Sequence, residues 1–325
     1  MAIYTDLALE MAETLGTPSG IDGVSMDITM KPVPGGAVKV TWIRVRDGNG
    51  ARVMGRPIGN YITAECESMK VPDVEAHEGL IRVLVDILAG LEPVKSAKSV
   101  LVAGLGNWHV TPDALGPRVA SKTLVTRHMD GTLPENLKKA VRPVAVISPG
   151  VMGITGIETG EIIQGVVERS KPSLVIAIDA LAARRVSRVN ATIQIADTGL
   201  TPGSGMGNIR MPLSEETLGT PVIAIGVPTV VDAATLVNDT MDIMLEDMTT
   251  SVPQGSEFYK TLKELGDEDK YPLIKRALDP YMGNMFVTPK EVDAVIDRLS
   301  NIIANTINIA LHPGITKEDI NRYMY

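Results

Sequence analysis

A single cysteine, Cys66, occurs in 325 residues, which excludes an intrachain disulfide and any thiolate-rich metal centre. A reducing, cytoplasmic setting is the simplest one for such a chain. Histidine is almost as sparse, with four copies. His77, His128 and His312 have no acid partner at ligand spacing, so a histidine-built metal site is poorly supported and no cofactor is expected. Aromatic residues make up only 3% of the chain, which leaves Val, Ile, Leu, Met and Ala to fill the core. Positive charge is in deficit: the net charge of −8 argues against direct binding of nucleic acid. No apolar run approaches the ~20 residues needed to span a bilayer. The N-terminus lacks the basic stretch and apolar core of a secretory signal. No membrane partner is expected.

What is present is an alternation of short apolar strands with helices. Ser99–Gly104, Val144–Ser148, Leu174–Ile178, Ala191–Ile195 and Pro221–Val227 read as strands buried on both faces. Between them, Leu80, Ile81, Leu84, Val85 and Leu88 repeat at helical spacing, Ala114–Arg127 reads as a helix, and Thr155-Gly-Ile-Glu158 has capping-box spacing before another. The pattern predicts a three-layer α/β sandwich with a mostly parallel or mixed central sheet. A short acidic helix near Leu7–Thr14 and a loop precede a small strand-rich layer over about residues 36–66, which includes the turn signal Arg46-Asp-Gly-Asn-Gly50. Residues 248–287 are polar, charged and weakly periodic, and read as a surface excursion. Thr288-Pro-Lys-Glu291 then predicts a long helix with Thr288 as N-cap and an apolar stripe from Val292 to Ala310.

Two acids stand where this architecture puts chemistry. In an open α/β sheet, ligands bind beyond the carboxyl ends of the strands. Asp113 lies in a loop shortly after the strand ending at Gly104, and Asp179 directly follows the strand ending at Ile178. A carboxylate that activates water, beside a protonated one that donates to a leaving group, is a hydrolytic pair. Two neighbouring carboxyls push one pKa upward and so divide these roles. The ordinary alternative is that each acid caps a following helix, for which Asp before Ala-Leu is suited. Asp197, Asp232 and Glu158 could replace one member. His109, between the first strand and Asp113, is a candidate base or substrate contact.

Gly104-Leu-Gly106 lacks the third glycine of a dinucleotide fingerprint, and Gly203-Ser-Gly-Met-Gly207 lacks the Lys-Ser/Thr of a phosphate loop. The second loop, with Ser204 and Asn208, could still present N–H groups to an oxyanion or a peptide carbonyl. Arg184, Arg185 and Arg188 cluster just past Asp179 and could bind an acidic substrate side chain or pair with that acid.

Long stretches of this chain resemble one family. They include Gly104-Leu-Gly-Asn-Trp-His-Val-Thr-Pro-Asp-Ala-Leu-Gly-Pro117, Pro149-Gly-Val-Met-Gly-Ile-Thr-Gly-Ile-Glu-Thr159, Val175-Ile-Ala-Ile-Asp-Ala-Leu-Ala-Ala-Arg184 and Pro202-Gly-Ser-Gly-Met-Gly-Asn208. The resemblance, which covers most of the chain from about Val100 onward, is to the germination proteases of spore-forming bacteria. It implies an atypical aspartic endopeptidase whose essential aspartates are Asp113 and Asp179. The implied fold is similar to that of hydrogenase-maturation proteases. The implied substrates are small acid-soluble, DNA-coating spore proteins, degraded in the spore core during germination. The resemblance also implies a homotetramer made as a zymogen that cleaves itself.

The family's preferred cleavage site, an acid followed by a large apolar residue and Ala with a further acid nearby, matches Thr5-Asp-Leu-Ala-Leu-Glu10. Self-cleavage is therefore expected between Asp6 and Leu7. Residues 1–6 would be the propeptide and 7–325 a single peptidase domain, with His109, Arg184, Arg188, Ser204 and Asn208 as substrate contacts. Two alternatives stand beside this reading. One is a metal-dependent maturation-type protease using Asp113, Asp179 and His109 as ligands. The other is an inactive binding homologue.

Overall fold

A computed structural model describes residues 5–16, 22–132, 134, 140–202, 210–251, 267–282 and 285–316. Its centre is a nine-stranded sheet in the order β1-β2-β3-β7-β8-β6-β4-β5, with β9 pairing β8. The strands are β1 (Val24–Val33), β2 (Gly36–Val45), β3 (Gly59–Glu65), β4 (Val100–Gly104), β5 (Val144–Ile147), β6 (Leu174–Ala183), β7 (Thr192–Ala196), β8 (Val222–Asp232) and β9 (Phe286–Val287). Strands β5, β4, β6 and β8 run parallel, whereas β1, β2, β3 and β7 join antiparallel, so the sheet is mixed. The strand-rich N-terminal region extends this sheet edge to edge, because β3 pairs with β7. Strand β1 falls in the segment read as loop. Its outward residues are largely exposed, so it shows no buried apolar run.

Alternation along each parallel strand divides two cores. Val100, Val102, Ile176, Ile178, Ile223 and Ile225 face one side, and pack under helices α2 (Val74–Gly90), α3 (Leu115–Lys122) and α7 (Val292–Leu311). Leu101, Ala103, Val175 and Ala177 face the other side, where Ile163 and Val167 of α4 (Thr159–Ser170) cover them. The N-terminal helix α1 (Ala8–Thr14) lies on this second face, farther along the sheet, with Ala8, Leu9 and Ala12 against Ile43, Val45, Met54 and Tyr61. Beyond β8, α5 (Ala233–Ser251) and α6 (Asp267–Met282) pack on each other through Ala234, Tyr271 and Ile274, so much of the expected surface excursion is helical. Among the described residues no helix is long and apolar enough to cross a membrane.

The long C-terminal stripe behaves as expected: Val295, Ile296, Leu299, Ile303 and Ile307 are buried. The cap differs. The helix begins at Val292 after Glu291, and Thr288 instead donates its hydroxyl to the Thr229 carbonyl at 3.0 Å. Thr155 likewise ends a separate turn, Met152–Thr155, and α4 starts after Glu158 without a side-chain cap, because Gly156 takes a left-handed conformation that breaks the helix. Arg46–Gly50 is also not a bare turn: Asp47 accepts from the N–H groups of Asn49 and Gly50 and caps a short helix, Gly48–Met54.

The start of α3 presses directly on the strand ends. A Cβ at Gly116 would lie 2.1 Å from the Leu105 carbonyl oxygen and 2.7 Å from that of Ile178. Both neighbours are backbone and cannot rotate away. Gly116→Ala is therefore expected to destabilise the fold by about 3 kcal/mol, at the upper end of ordinary overpacking, read as a fall in the urea midpoint at unchanged slope.

Candidate active site

Asp113 follows the carboxyl end of β4, whereas Asp179 lies within the adjacent parallel strand β6, which does not end at Ile178 as expected but continues along β8 to Ala183. Gly104 pairs with Ile178, the residue before Asp179, and the Leu105 N–H donates to the Ile178 carbonyl at 2.8 Å. The chain then turns at Gly106, whose φ of +114° favours glycine, and a single 3-10 turn, Thr111–Asp113, brings Asp113 back over it. A Cβ at Gly106 would stand 2.0 Å from the Asp113 carbonyl oxygen and 3.1 Å from Oδ1, so glycine is what lets the acid fold down onto the strand end.

Neither acid is a helix cap. Helix α3 follows Ala114 with no side-chain cap, and Asp179 lies inside β6 with its Oδ1 accepting from the Ala180 N–H at 2.9 Å. Burial pushes the Asp113 carboxyl up to about 6, although the Asn107 N–H, donating to Oδ2 at 2.8 Å, and the Arg210 charge oppose the shift. A carboxyl raised toward neutrality holds its proton over a wider acidic range and is suited to donate it there. Asp179 is 7% exposed.

Asp179 lines a cleft of about 700 Å³, together with Leu181, Gln194 and Ala196 from the sheet face. The chain's own Thr5 and Asp6 form part of the same wall. Here the N-terminal segment lies against the sheet as a docked peptide. The Asp6 N–H donates to the Ala182 carbonyl at 3.4 Å, and the Ala182 N–H donates back to Asp6 Oδ2 at 2.9 Å. Gln194 spans the next peptide: its Nε2 donates to the Asp6 carbonyl at 3.3 Å and its Oε1 accepts from the Ala8 N–H at 2.7 Å. Leu7, between them, is fully buried.

A second acid of the segment is held just as closely. Glu10 accepts from the backbone N–H of Arg184 at 2.7 Å and of Arg185 at 2.9 Å, and from the Thr5 hydroxyl. Arg188 completes the arrangement. Its guanidinium donates two bonds to Glu13, at 2.6 and 2.9 Å, one to Glu65 at 3.0 Å, and stands 3.4 Å from Glu10. Bidentate pairing of this kind suits arginine and not lysine. The Arg184 side chain reaches the Thr14 hydroxyl at 2.9 Å. The two arginines therefore meet acids and a hydroxyl of the chain's own N-terminal helix.

His109 stands apart. Its side chain is exposed on the loop before Asp113, and its N–H donates to Asn107 Oδ1 at 3.0 Å. Among the described residues no group of three or more His, Cys, Asp or Glu side chains is arranged to hold a metal ion, so the set Asp113, Asp179 and His109 does not form one. Asp197 accepts from the Asn60 N–H at 2.7 Å and also lines the cleft, Asp232 accepts from the Ala234 N–H at 2.7 Å, and Glu158 accepts from the Met211 N–H at 2.5 Å, so all three hold backbone. Ser204 and Asn208 lie outside the described residues.

The residue that sequence reasoning passed over is Gln194. A signal existed: it is an amide in the middle of the apolar run Ala191–Ile195, on the strand face it shares with Thr192 and Ala196.

A cleft on the sheet face, with the carboxylate of Asp179 in its wall and a peptide segment laid along that wall, is the layout of an enzyme that works on polypeptide. The family comparison agrees: the germination protease family model matches residues 10–264 and 253–324, and the chain belongs to that family of peptidases. It is 47% identical over 324 residues to a germination protease of Clostridium tetani, covering all of both chains. It is 43% identical over 355 residues to one of Bacillus subtilis, covering 99% of this chain and 96% of the relative. A hydrogenase maturation protease from Thermococcus kodakarensis aligns with 69% of this chain and 98% of its own, at 19% identity and a TM-score of 0.33.

Proposed function

We propose that the protein is a self-processing endopeptidase of spore germination that uses Asp113 and Asp179 to hydrolyse small acid-soluble spore proteins. Asp179, within the cleft, activates water. Asp113, which burial keeps protonated up to about pH 6, supplies the proton that the departing amide nitrogen needs. The observation that supports this reading most is the course of the N-terminal segment, which carries the Asp6–Leu7 bond along the wall of the cleft that contains Asp179. Family membership supports the spore-protein substrates, the spore-core setting and assembly as a tetramer.

The reading is tested by incubating the purified full chain and sequencing its new N-terminus, which is expected to begin at Leu7. Cleavage is expected to slow as pH rises through about 6, since Asp113 then loses the proton it donates. Digestion of a small acid-soluble spore protein is expected to yield fragments cut after an acid that precedes a large apolar residue. A chain that stays intact at every pH and leaves such a protein undigested would end this reading.

A further inference from the structure

We propose that Gln194 is a catalytic residue that stabilises the oxyanion formed when the Asp6–Leu7 bond is cut. The inference rests on the self-cleavage reading above and adds a group to its machinery. Its basis is the orientation of one buried amide. The Ala8 N–H can only donate, so the Gln194 atom facing it at 2.7 Å is the oxygen. The nitrogen is thereby turned toward the Asp6 carbonyl, 3.3 Å away. A single side chain thus straddles the bond between residues 6 and 7, with its donor aimed at the oxygen on which charge develops.

The sheet fixes this position. Gly226 of β8 is the register partner of both Gln194 on β7 and Asp179 on β6, so the two side chains flank one glycine in the same row and face the same cleft. Adjacent strands lie ~4.8 Å apart, which places their backbones two strand spacings from each other. A Cβ at Gly226 would stand 2.4 Å from the Leu181 side chain, so the bare position lets Leu181 floor the cleft between them.

A contact of 3.3 Å is long for a ground-state hydrogen bond to a carbonyl. It favours the transition state. When water adds to the Asp6 carbonyl carbon, the C–O π electrons move onto oxygen, and the single bond that remains is longer and charged. Both changes strengthen the bond from Nε2. Donors of this kind act by being stronger in the transition state than in the ground state. The balance is complete within the proposed site. A proton from water passes to one aspartate, collapse of the oxyanion expels the Leu7 nitrogen, and the second aspartate supplies that nitrogen's proton. The products are an Asp6 carboxylate and a Leu7 amine.

The test compares first-order self-cleavage of the full chain with that of two variants, each checked for native circular dichroism. Gln194→Met removes donor and acceptor at similar volume. Gln194→Glu keeps an acceptor for the Ala8 N–H and, once ionised, has no donor, so its rate relative to wild type at matched pH, followed upward until the glutamate ionises, separates oxyanion support from mere anchoring of the segment. Both are expected to cut between residues 6 and 7 about 100-fold more slowly than wild type. Should the methionine variant not fold, the glutamate variant alone decides. A Gln194→Glu chain that cuts within threefold of the wild-type rate would overturn the inference and leave an anchoring role only. A wild-type chain that never cuts at this bond would instead remove the self-cleavage reading, and the role of Gln194 with it.

Discussion

Asp179→Asn is expected to slow peptide hydrolysis by about 1,000-fold, a typical loss for one acid–base group, with the melting temperature held within a few degrees. The change is nearly isosteric. The asparagine side-chain oxygen can still accept from the Ala180 N–H, which meets Asp179 Oδ1 at 2.9 Å, so the local backbone keeps its bond. The residue lies in the interior of a buried strand paired on both sides, by β4 and β8, and that pairing does not depend on its charge. Removing a negative charge from a position only 7% exposed does not in itself cost stability. What disappears is the proposed base. The measurement is single-turnover cleavage beside thermal unfolding. Turnover near the wild-type rate would show that the water is activated elsewhere.

Arg188→Met is expected to cost about 3–5 kcal/mol of folding stability, the usual penalty for leaving buried charge without its partner. Arg188 is 6% exposed and Glu10 is fully buried. Without the guanidinium, the buried Glu10 is left beside Glu13 and Glu65, which are partly open to solvent, with no cation among them from Arg188. Burial works against the ionised form of Glu13, yet the hydrogen bonds and charge of Arg188, with help from Arg185 and Lys39, bring its carboxyl below the ordinary value. Stability from that pairing is present above the unfolded pKa and is lost as pH falls through the lower, folded value. The gap between wild type and variant is therefore widest near neutrality and narrows in acid. Urea unfolding at a series of pH values measures it. A gap independent of pH would mean that the lost packing of the arginine stem, and not its charge, sets the cost.

Much of this was legible from the chain. Apolar runs gave β4 to β8 because strands in the middle of a covered sheet, the parallel ones and antiparallel β7 alike, carry apolar residues on both faces, and 3.6-residue spacing gave α2, α4 and α7. Asp113 could be placed just past a strand end for the same reason, but Asp179 could not: β6 continues beyond it to Ala183, because Ala180 to Ala183 go on pairing with β8. Strand β1 was not legible, since Ile28 and Met30 face outward and its period is obscured by Asp27, Thr29 and Lys31. The capping signals at Thr155 and Thr288 misled because a left-handed glycine in one case, and a bond to β8 in the other, outcompeted the cap. The meeting of residues 6 to 10 with residues 182 to 194 was beyond reach. No periodicity encodes a contact across so long a separation, and Arg188 gave no sign whether its acid would come from a substrate or from its own chain.

Residues on the two sides of the Asp6–Leu7 bond are attached by different means. Downstream, Leu9 and Ala12 are embedded among Ile43, Val45, Met54 and Tyr61. Upstream, Asp6 holds Ala182 through one backbone bond and one bond to its carboxylate, and accepts the bond from Gln194, while the Thr5 carbonyl accepts from Arg56. Before scission, the covalent tether keeps the upstream piece at an effective concentration that ~millimolar values describe for short links. Scission would cancel that advantage at a stroke while leaving the downstream anchor in place. The released upstream piece, no longer tethered, would diffuse away, and dilution would prevent rejoining. Hydrolysis at that one position would act as a ratchet, turning a plugged cleft into an open one without loosening the domain that carries it.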